Sequence, residues 1–301
     1  MSGQSALRAA KEKKNDEFYT RMVDVEEELN HYWSQFKGRI IYCPCDDPGW
    51  SNFWLYFKTH FNEIGLERLI STHYVSEGCS YKLEFDGVNE IRTDLDGDGD
   101  FRSPECLQIL WNVDIVVTNP PFSLIRDLVD ILMDYHKKFL FLGTIQAAKY
   151  SNVFPYVRAG IIRPGYHFNK SMWFYVPEGS KTKTKKVDET GKPIVNIGTI
   201  CWYTNLKVDK DIEPLVLTEH YSPKKYPKYD NMDFIEVGKL SDIPCDYDDF
   251  MGVPITYLAK HDPTKFYLWD ITNDAELNGK SLFSRAIIRK LKDGEEVKLT
   301  F

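Results

Sequence analysis

Apolar positions along this chain fall into short runs that alternate with amphipathic stretches, the rhythm of an α/β fold. Residues 39–43, 69–74, 113–117 and 138–143 read as strands, and the branched run at 113–117 is apolar enough to be buried on both faces. Amphipathic spacing predicts helices at about 23–36, 50–61 and 125–135. Residues 81–85 and 88–92 read as a hairpin around Asp86-Gly87, and 166–176 and 194–204 as strands rich in aromatic and β-branched residues. Segments 251–258 and 283–291 read as strands or short helices closing the C-terminal part. The pattern predicts a largely parallel α/β sheet over 15–205 whose final hairpin supplies an antiparallel strand. A region of different texture follows over 206–301, and a basic arm over 1–14 (Arg8, Lys11, Lys13, Lys14) precedes the sheet.

The totals narrow the class. A chain of 301 residues, 43% apolar and 14% aromatic, can bury a sizeable core. No apolar run is long enough to span a bilayer and the polar N-terminus is no secretory signal, so a cytoplasmic protein is expected. Six cysteines (43, 45, 79, 106, 201, 245) show no Cys-x-x-Cys pair and no zinc spacing, which predicts reduced thiols and no metal. The net charge of −7 weighs against a nucleic-acid partner. Its distribution weighs the other way, because acid gathers at 24–28, 94–100 and 242–249 and leaves distinct basic segments.

Candidate chemistry centres on Asn119-Pro120-Pro121-Phe122, where the strand at 113–117 stops and a helical pattern begins. In open α/β sheets chemistry sits at the carboxyl ends of strands. Pro120 confines Asn119 to extended backbone, and neither proline carries an N–H. The result is a stiff loop offering two acceptors, the Asn119 side-chain oxygen and the Pro120 carbonyl, beside an aromatic face. That set suits a planar ring bearing an exocyclic amine. The competing structural reading is a proline-rich turn with a core phenylalanine.

With these residues in view, the chain resembles the EcoRI-type DNA adenine-N6 methyltransferases. The likeness runs through Asn15-Asp-Glu-Phe-Tyr-Thr20, Tyr42-Cys-Pro-Cys-Asp-Asp-Pro48 with Ser51-Asn-Phe53, and Gly97-Asp-Gly-Asp-Phe-Arg-Ser103. It continues through 114–124, Tyr226-Pro-Lys-Tyr-Asp-Asn231 and Met251-Gly-Val-Pro-Ile-Thr256. The resemblance implies a Rossmann-like class I methyltransferase domain, S-adenosylmethionine as cofactor and duplex DNA as partner, with a cognate restriction endonuclease in the same system. It places Asn119, Pro120, Pro121 and Phe122 in catalysis. It places Phe18, Tyr19, Thr20, Cys45, Asp46, Asp47, Asp100, Phe101 and Asn119 at the cofactor. Asp46 or Asp47 would meet the cofactor's ammonium group or ribose hydroxyls, and Asp100 its adenine amine with Phe101 against that ring. One of Trp173, Phe174 and Tyr175 would face the catalytic phenylalanine.

Three features complicate this assignment. The loop 44–49 carries only Gly49, where a Gly-x-Gly turn is usual for nucleotide cofactors. Related methylases often end the second strand in an acidic residue, whereas Ser71, Thr72 and His73 stand here, His73 reading as an ordinary loop or core histidine. Residues 94–105 also fit a calcium-loop spacing, but a strand pattern enters them in place of a helix.

Basic segments supply the DNA-contact candidates: Lys181, Lys183, Lys185 and Lys186 at a hairpin tip, and Lys224, Lys225, Tyr226 and Lys228 in a run that interleaves lysine with tyrosine. The function expected is transfer of a methyl group to N6 of an adenine flipped out of duplex DNA. The alternatives are an amino-methyltransferase acting on RNA or protein glutamine, which would share the Asn-Pro-Pro loop, and a non-catalytic DNA-binding relic, suggested by the missing Gly-x-Gly.

Overall fold

In the computed structural model, which describes residues 19–168, 170–176, 186–209 and 215–297, the chain folds as two units. One unit runs to Ala147 and resumes over Gly165–Val208, and the other takes Ala148–Pro164 and the chain from Asp209 onward. The arm expected at 1–14 lies outside the described residues, as do Phe18, Lys181, Lys183 and Lys185.

The first unit is mixed α/β. Its main elements are β1 (Tyr19–Thr20), α1 (Met22–Leu29), β2 (Ile40–Cys43), α2 (Asn52–Thr59), β3 (Arg68–His73), β4 (Tyr81–Phe85) and β5 (Glu90–Asp94). They continue with α3 (Pro104–Trp111), β6 (Ile115–Thr118), α4 (Ile125–Asp134), β7 (Lys138–Thr144), β8 (Lys170–Tyr175) and β9 (Pro193–Thr204). The strands join one sheet in the order β1-β8-β9-β7-β6-β2-β3-β4-β5. Only its centre, β3-β2-β6-β7, is parallel. The expectation of a largely parallel sheet is corrected here: short links make β3–β4–β5 antiparallel on one flank, and β9, β8 and β1 pair antiparallel beyond β7 on the other. The hairpin β4–β5 is one such flank; its turn is closed by the Asp86 side chain, which accepts from the amides of Val88 and Asn89 at 2.9 and 2.7 Å.

Strand order reverses at β2, which pairs with β3 on one side and β6 on the other. On one face Ile41, Cys43, Ile115, Val117, Leu140 and Leu142 pack against Val25 and Leu29 of α1 and Phe53 and Phe57 of α2. Each such side chain contributes about 1.5–3 kcal/mol when fully buried. Helix α4 buries Ile125, Leu128, Val129 and Leu132, the single stripe its sequence spacing requires. Ser51 caps α2 by accepting from the Phe53 amide, and Ser103 caps α3, with Pro104 at the first helical position.

Two predicted elements are shorter than expected. The helix at 23–36 is interrupted by a 3-10 turn at Asn30–Tyr32, where the Asn30 side chain accepts from the Tyr56 hydroxyl at 2.7 Å. The strand predicted from 166 begins at Lys170. The reason is the buried carboxylate of Glu28, which accepts the amides of Tyr166 and His167 at 2.7 and 2.8 Å and so removes both from any ladder.

In the second unit β10 (Ile235–Glu236), β11 (Met251–Pro254), β12 (Phe266–Thr272) and β13 (Arg285–Lys290) form a sheet in the order β10-β11-β13-β12. The segment 251–258 is therefore a strand followed by the 3-10 turn Ile255–Lys260. Two sequence motifs meet in this unit. Tyr229 packs so closely on Gly252 that a Cβ there would lie 2.0 Å from its hydroxyl. That hydroxyl donates to Glu236, which also receives the Arg285 guanidinium at 2.9 Å. Among the described residues no helix is long and apolar enough to cross a membrane.

Candidate active site

The carboxyl ends of β2, β3 and β6 carry three loops, and their side chains lace those loops together. The loop after β2 is tied first. Ser71 donates to the carbonyls of Cys43 and Asp46, and Thr72 donates to the Pro44 carbonyl at 3.2 Å. The Cys45 amide donates to the Thr118 hydroxyl at 3.1 Å. A loop without a Gly-x-Gly turn is thus fixed by hydroxyls from both neighbouring strands.

Asp46 is the link to the Asn-Pro-Pro-Phe segment. Its side chain is buried and accepts three bonds: from Ser51 Oγ at 2.9 Å, Thr118 Oγ1 at 2.6 Å and the Asn119 amide at 3.1 Å. Burial pushes the carboxyl up to about 6, against the lowering effect of those three donors. Asp46 therefore braces the loop that holds Asn119, and its oxygens are committed to protein donors. The neighbouring carboxylate, Asp47, is the more exposed of the two: its Oδ1 accepts from the Gly49 amide at 2.7 Å and its Oδ2 lies 2.5 Å from His73 Nδ1.

Asn119 follows β6 directly, with its amide on Asp46 and its side-chain oxygen shielded from solvent. Pro120 is buried. Pro121 accepts from the Leu124 amide at 2.8 Å, closing a 3-10 turn that begins at Phe122. Phe122 is half-buried and packs against the core cluster.

The segment 95–103 closes the third side. Its Gly99 adopts φ +77°, and a Cβ there would lie 2.4 Å from the His73 carbonyl oxygen. The Val75 amide donates to the Asp98 carbonyl at 2.9 Å. Arg102 holds Asp100 through two bonds of 2.9 and 2.7 Å and reaches Asp127 of α4 at 2.7 Å. Phe101 is buried beside it. The calcium-loop spacing at 94–105 is entered by strand β5, and Glu105 instead accepts from the amides of Asp96 and Gly97 at 3.3 and 3.2 Å.

Strand β1 completes the rim. Thr20 pairs with Phe174, and its carbonyl accepts from Asn52 Nδ2 at 2.8 Å. Tyr19 meets the Trp50 ring at 3.8 Å between centroids. Thr20 Oγ1 is buried with no hydrogen-bond partner among the described residues.

Tyr19, Thr20, Cys45, Asp46, Asp47, Asp100, Phe101 and Asn119 thus lie along one chain of contacts. His73, read from the sequence as an ordinary loop or core histidine, ends β3 with its ring nitrogen 2.5 Å from Asp47 and its carbonyl close against Gly99; the sequence reading did not link it to either loop. It also missed Glu28. Of the three aromatics on β8, Phe174 is fully buried in the core, while Trp173 and Tyr175 share the opposite face.

The DNA-contact candidates divide. Lys186 stands 5.0 Å over the Trp173 ring and Lys224 is exposed. Lys225 pairs with Glu219 at 2.6 Å, and Lys228 pairs with Asp233. Tyr226 is corrected: it is 2% exposed and donates to the Asp242 carbonyl at 2.7 Å, so its ring is core and offers no stacking face.

Comparison with known proteins points to an amino-methyltransferase class. A family described as "Adenine-specific methyltransferase EcoRI" matches residues 6–299, and the chain belongs to that family. The Type II methyltransferase M.EcoRI of Escherichia coli is 39% identical over 94% of this chain and 95% of its own. M.MgeORF184P of Mycoplasma genitalium is 36% identical over 95% and 92%, and M.MpnI of Mycoplasma pneumoniae 37% over 93% and 90%. No solved structure matches the chain.

Proposed function

We propose that this chain is a site-specific DNA methyltransferase that methylates N6 of an adenine rotated out of duplex DNA, on a Rossmann-like class I methyltransferase sheet. Family membership supplies the reaction class, and the observation that carries the site is Asn119 held at the switch point between β2 and β6 by the buried Asp46.

S-adenosylmethionine, when bound, supplies an electrophilic methyl group on a sulfonium. Tyr19, Thr20, Asp47, His73, Asp100 and Phe101 support this reading: the Asp47 carboxylate would take the ammonium group or ribose hydroxyls, Asp100 the adenine amine with Phe101 against that ring, and the buried Thr20 hydroxyl lies nearby in the chain of contacts. Asn119 Oδ1 and the Pro120 carbonyl accept the two amine hydrogens of the target base, and Phe122 stacks on its ring. Holding both hydrogens favours a pyramidal nitrogen and localises its lone pair. The N6 lone pair would then face the methyl group that the cofactor would supply, and the amine proton released on transfer would pass from Asn119 or the Pro120 carbonyl to water. Orientation carries much of the rate, with no general base required.

Lys186 and Lys224 serve as phosphate contacts, and a cognate endonuclease of a restriction–modification system acts on the same site in unmodified DNA. Replacing Asn119 with Ala should lower methyl transfer by on the order of 10²–10³-fold, the scale of losing one preorganised hydrogen-bond partner. Cofactor binding should stay within about twofold, since one twofold change is under 0.5 kcal/mol. Methyl labelling of DNA, RNA and protein beside a cofactor titration reads both, and normal turnover in the variant refutes the assignment.

A further inference from the structure

Outside the methyltransferase machinery, one cluster in the second unit brings together three kinds of metal-ligating atom. His220, Cys245 and Asp246 each offer one donor, and the three donor atoms lie within 4.8 Å of one another. His220 Nδ1 is 2.9 Å from Asp246 Oδ2 and 3.7 Å from Cys245 Sγ. We propose that this trio is a transition-metal site, suited to zinc and not to calcium or magnesium, that links residues 219–221 to 244–246.

The argument is geometric first. In a tetrahedral zinc site with Zn–S near 2.3 Å and Zn–N near 2.0 Å, sulfur and nitrogen ligands stand about 3.5 Å apart. The observed 3.7 Å between Sγ and Nδ1 is already close to that edge. The nitrogen–oxygen edge is a hydrogen bond in this state and opens by a few tenths of an ångström when an ion replaces the shared proton.

Backbone preorganisation comes second. Glu219 and Pro244 form a parallel bridge, and the Cys245 amide donates to the Glu219 carbonyl at 2.8 Å. The Cys245 carbonyl accepts from Lys290 at 2.6 Å. Asp246 spends Oδ1 on the Tyr221 amide at 2.7 Å, which aims Oδ2 at His220. The ligands are therefore placed by contacts that do not depend on the ion.

Donor chemistry then chooses the metal. A thiolate and an imidazole are poor ligands for calcium or magnesium and good ones for zinc, with water taking the remaining position at this exposed site. Binding displaces the thiol proton to solvent. Spacing rules could not find the site, because His220 and Cys245 lie far apart in sequence and no Cys-x-x-Cys pair announces them.

The test uses the full-length protein and cobalt(II) chloride as a spectroscopic stand-in, followed by displacement with zinc. One equivalent should bind, with a thiolate-to-cobalt charge-transfer band in the near ultraviolet and d–d bands of four-coordinate intensity. Cys245→Ser should abolish the charge-transfer band, and His220→Ala should weaken binding at least tenfold. Cys79→Ser, which removes another exposed thiol, should leave both unchanged. Melting temperatures of the metal-free variants matching the parent show that the unit is folded in each. No saturable band, or one that persists in Cys245→Ser, overturns the proposal.

Discussion

At the residue scale, the most informative group is Asp46, because its burial and its bonds pull in different directions. Burial raises the carboxyl from an ordinary 3.8 to about 6. A raised folded pKa means the fold favours the protonated form. The contribution of this group to stability is fully present below about pH 4 and is lost as pH rises through about 6. Loop geometry responds in the opposite sense. An ionised carboxylate can accept from Ser51, Thr118 and Asn119 together, whereas the neutral acid must turn one oxygen into a donor. Methyl transfer should therefore fall as pH drops through about 6, while this group's share of stability rises. Asp46→Asn separates the two effects. Its oxygen can keep Thr118 and Asn119 while its amide donates to Ser51, so the variant should melt at or above the parent at neutral pH. Its turnover should no longer carry the limb near pH 6. Turnover and melting temperature measured from about pH 5 to 8 decide the matter; an unchanged acid limb in the variant excludes Asp46 as the group.

At the scale of elements, legibility followed locality. The strand at 113–117 and the loop after it were readable because a branched apolar run and two prolines act within a few residues of each other. The β4–β5 hairpin was readable because Asp86-Gly87 makes its own turn. What pairs across the fold was not. The contact of His73 with Asp47 joins the end of β3 to the loop after β2, and no spacing rule links them. The late start of β8 depends on Glu28, far earlier in the chain. The burial of Tyr226 likewise depends on the Asp242 carbonyl, which a local lysine–tyrosine pattern cannot reveal. The Gly97-Asp-Gly-Asp motif illustrates the boundary: its residues were noticeable, but the reason for its second glycine is tertiary. Gly99 sits at φ +77° with no room for a Cβ beside the His73 carbonyl. Gly99→Ala should push 95–103 off the end of β3 and weaken S-adenosylmethionine binding at least tenfold, or about 1.4 kcal/mol. Calorimetric titration measures this, and parental affinity would detach that loop from the cofactor site.

At the scale of the whole molecule, the difficulty is charge. A protein of net charge −7 and pI near 5.6 must still approach a polyanion. Affinity for duplex DNA that rests on phosphate contacts falls with salt, at a slope of about 0.9 for each phosphate neutralised. Not every lysine contributes to that slope. Lys225 and Lys228 are held by Glu219 and Asp233, so reaching a phosphate exchanges one anion for another and leaves a carboxylate exposed. Lys224 is exposed and carries no such exchange among the interactions described. Lys224→Ala should therefore weaken binding by a similar factor on specific and unrelated duplexes, and lower the salt slope by about 1. Lys225→Ala and Lys228→Ala should change the slope by clearly less. Fluorescence anisotropy over a series of salt concentrations measures all three. Equal slopes lost in the three variants would mean that DNA breaks the two ion pairs on binding, and that the acidic total is offset by rearrangement instead of by a standing basic surface.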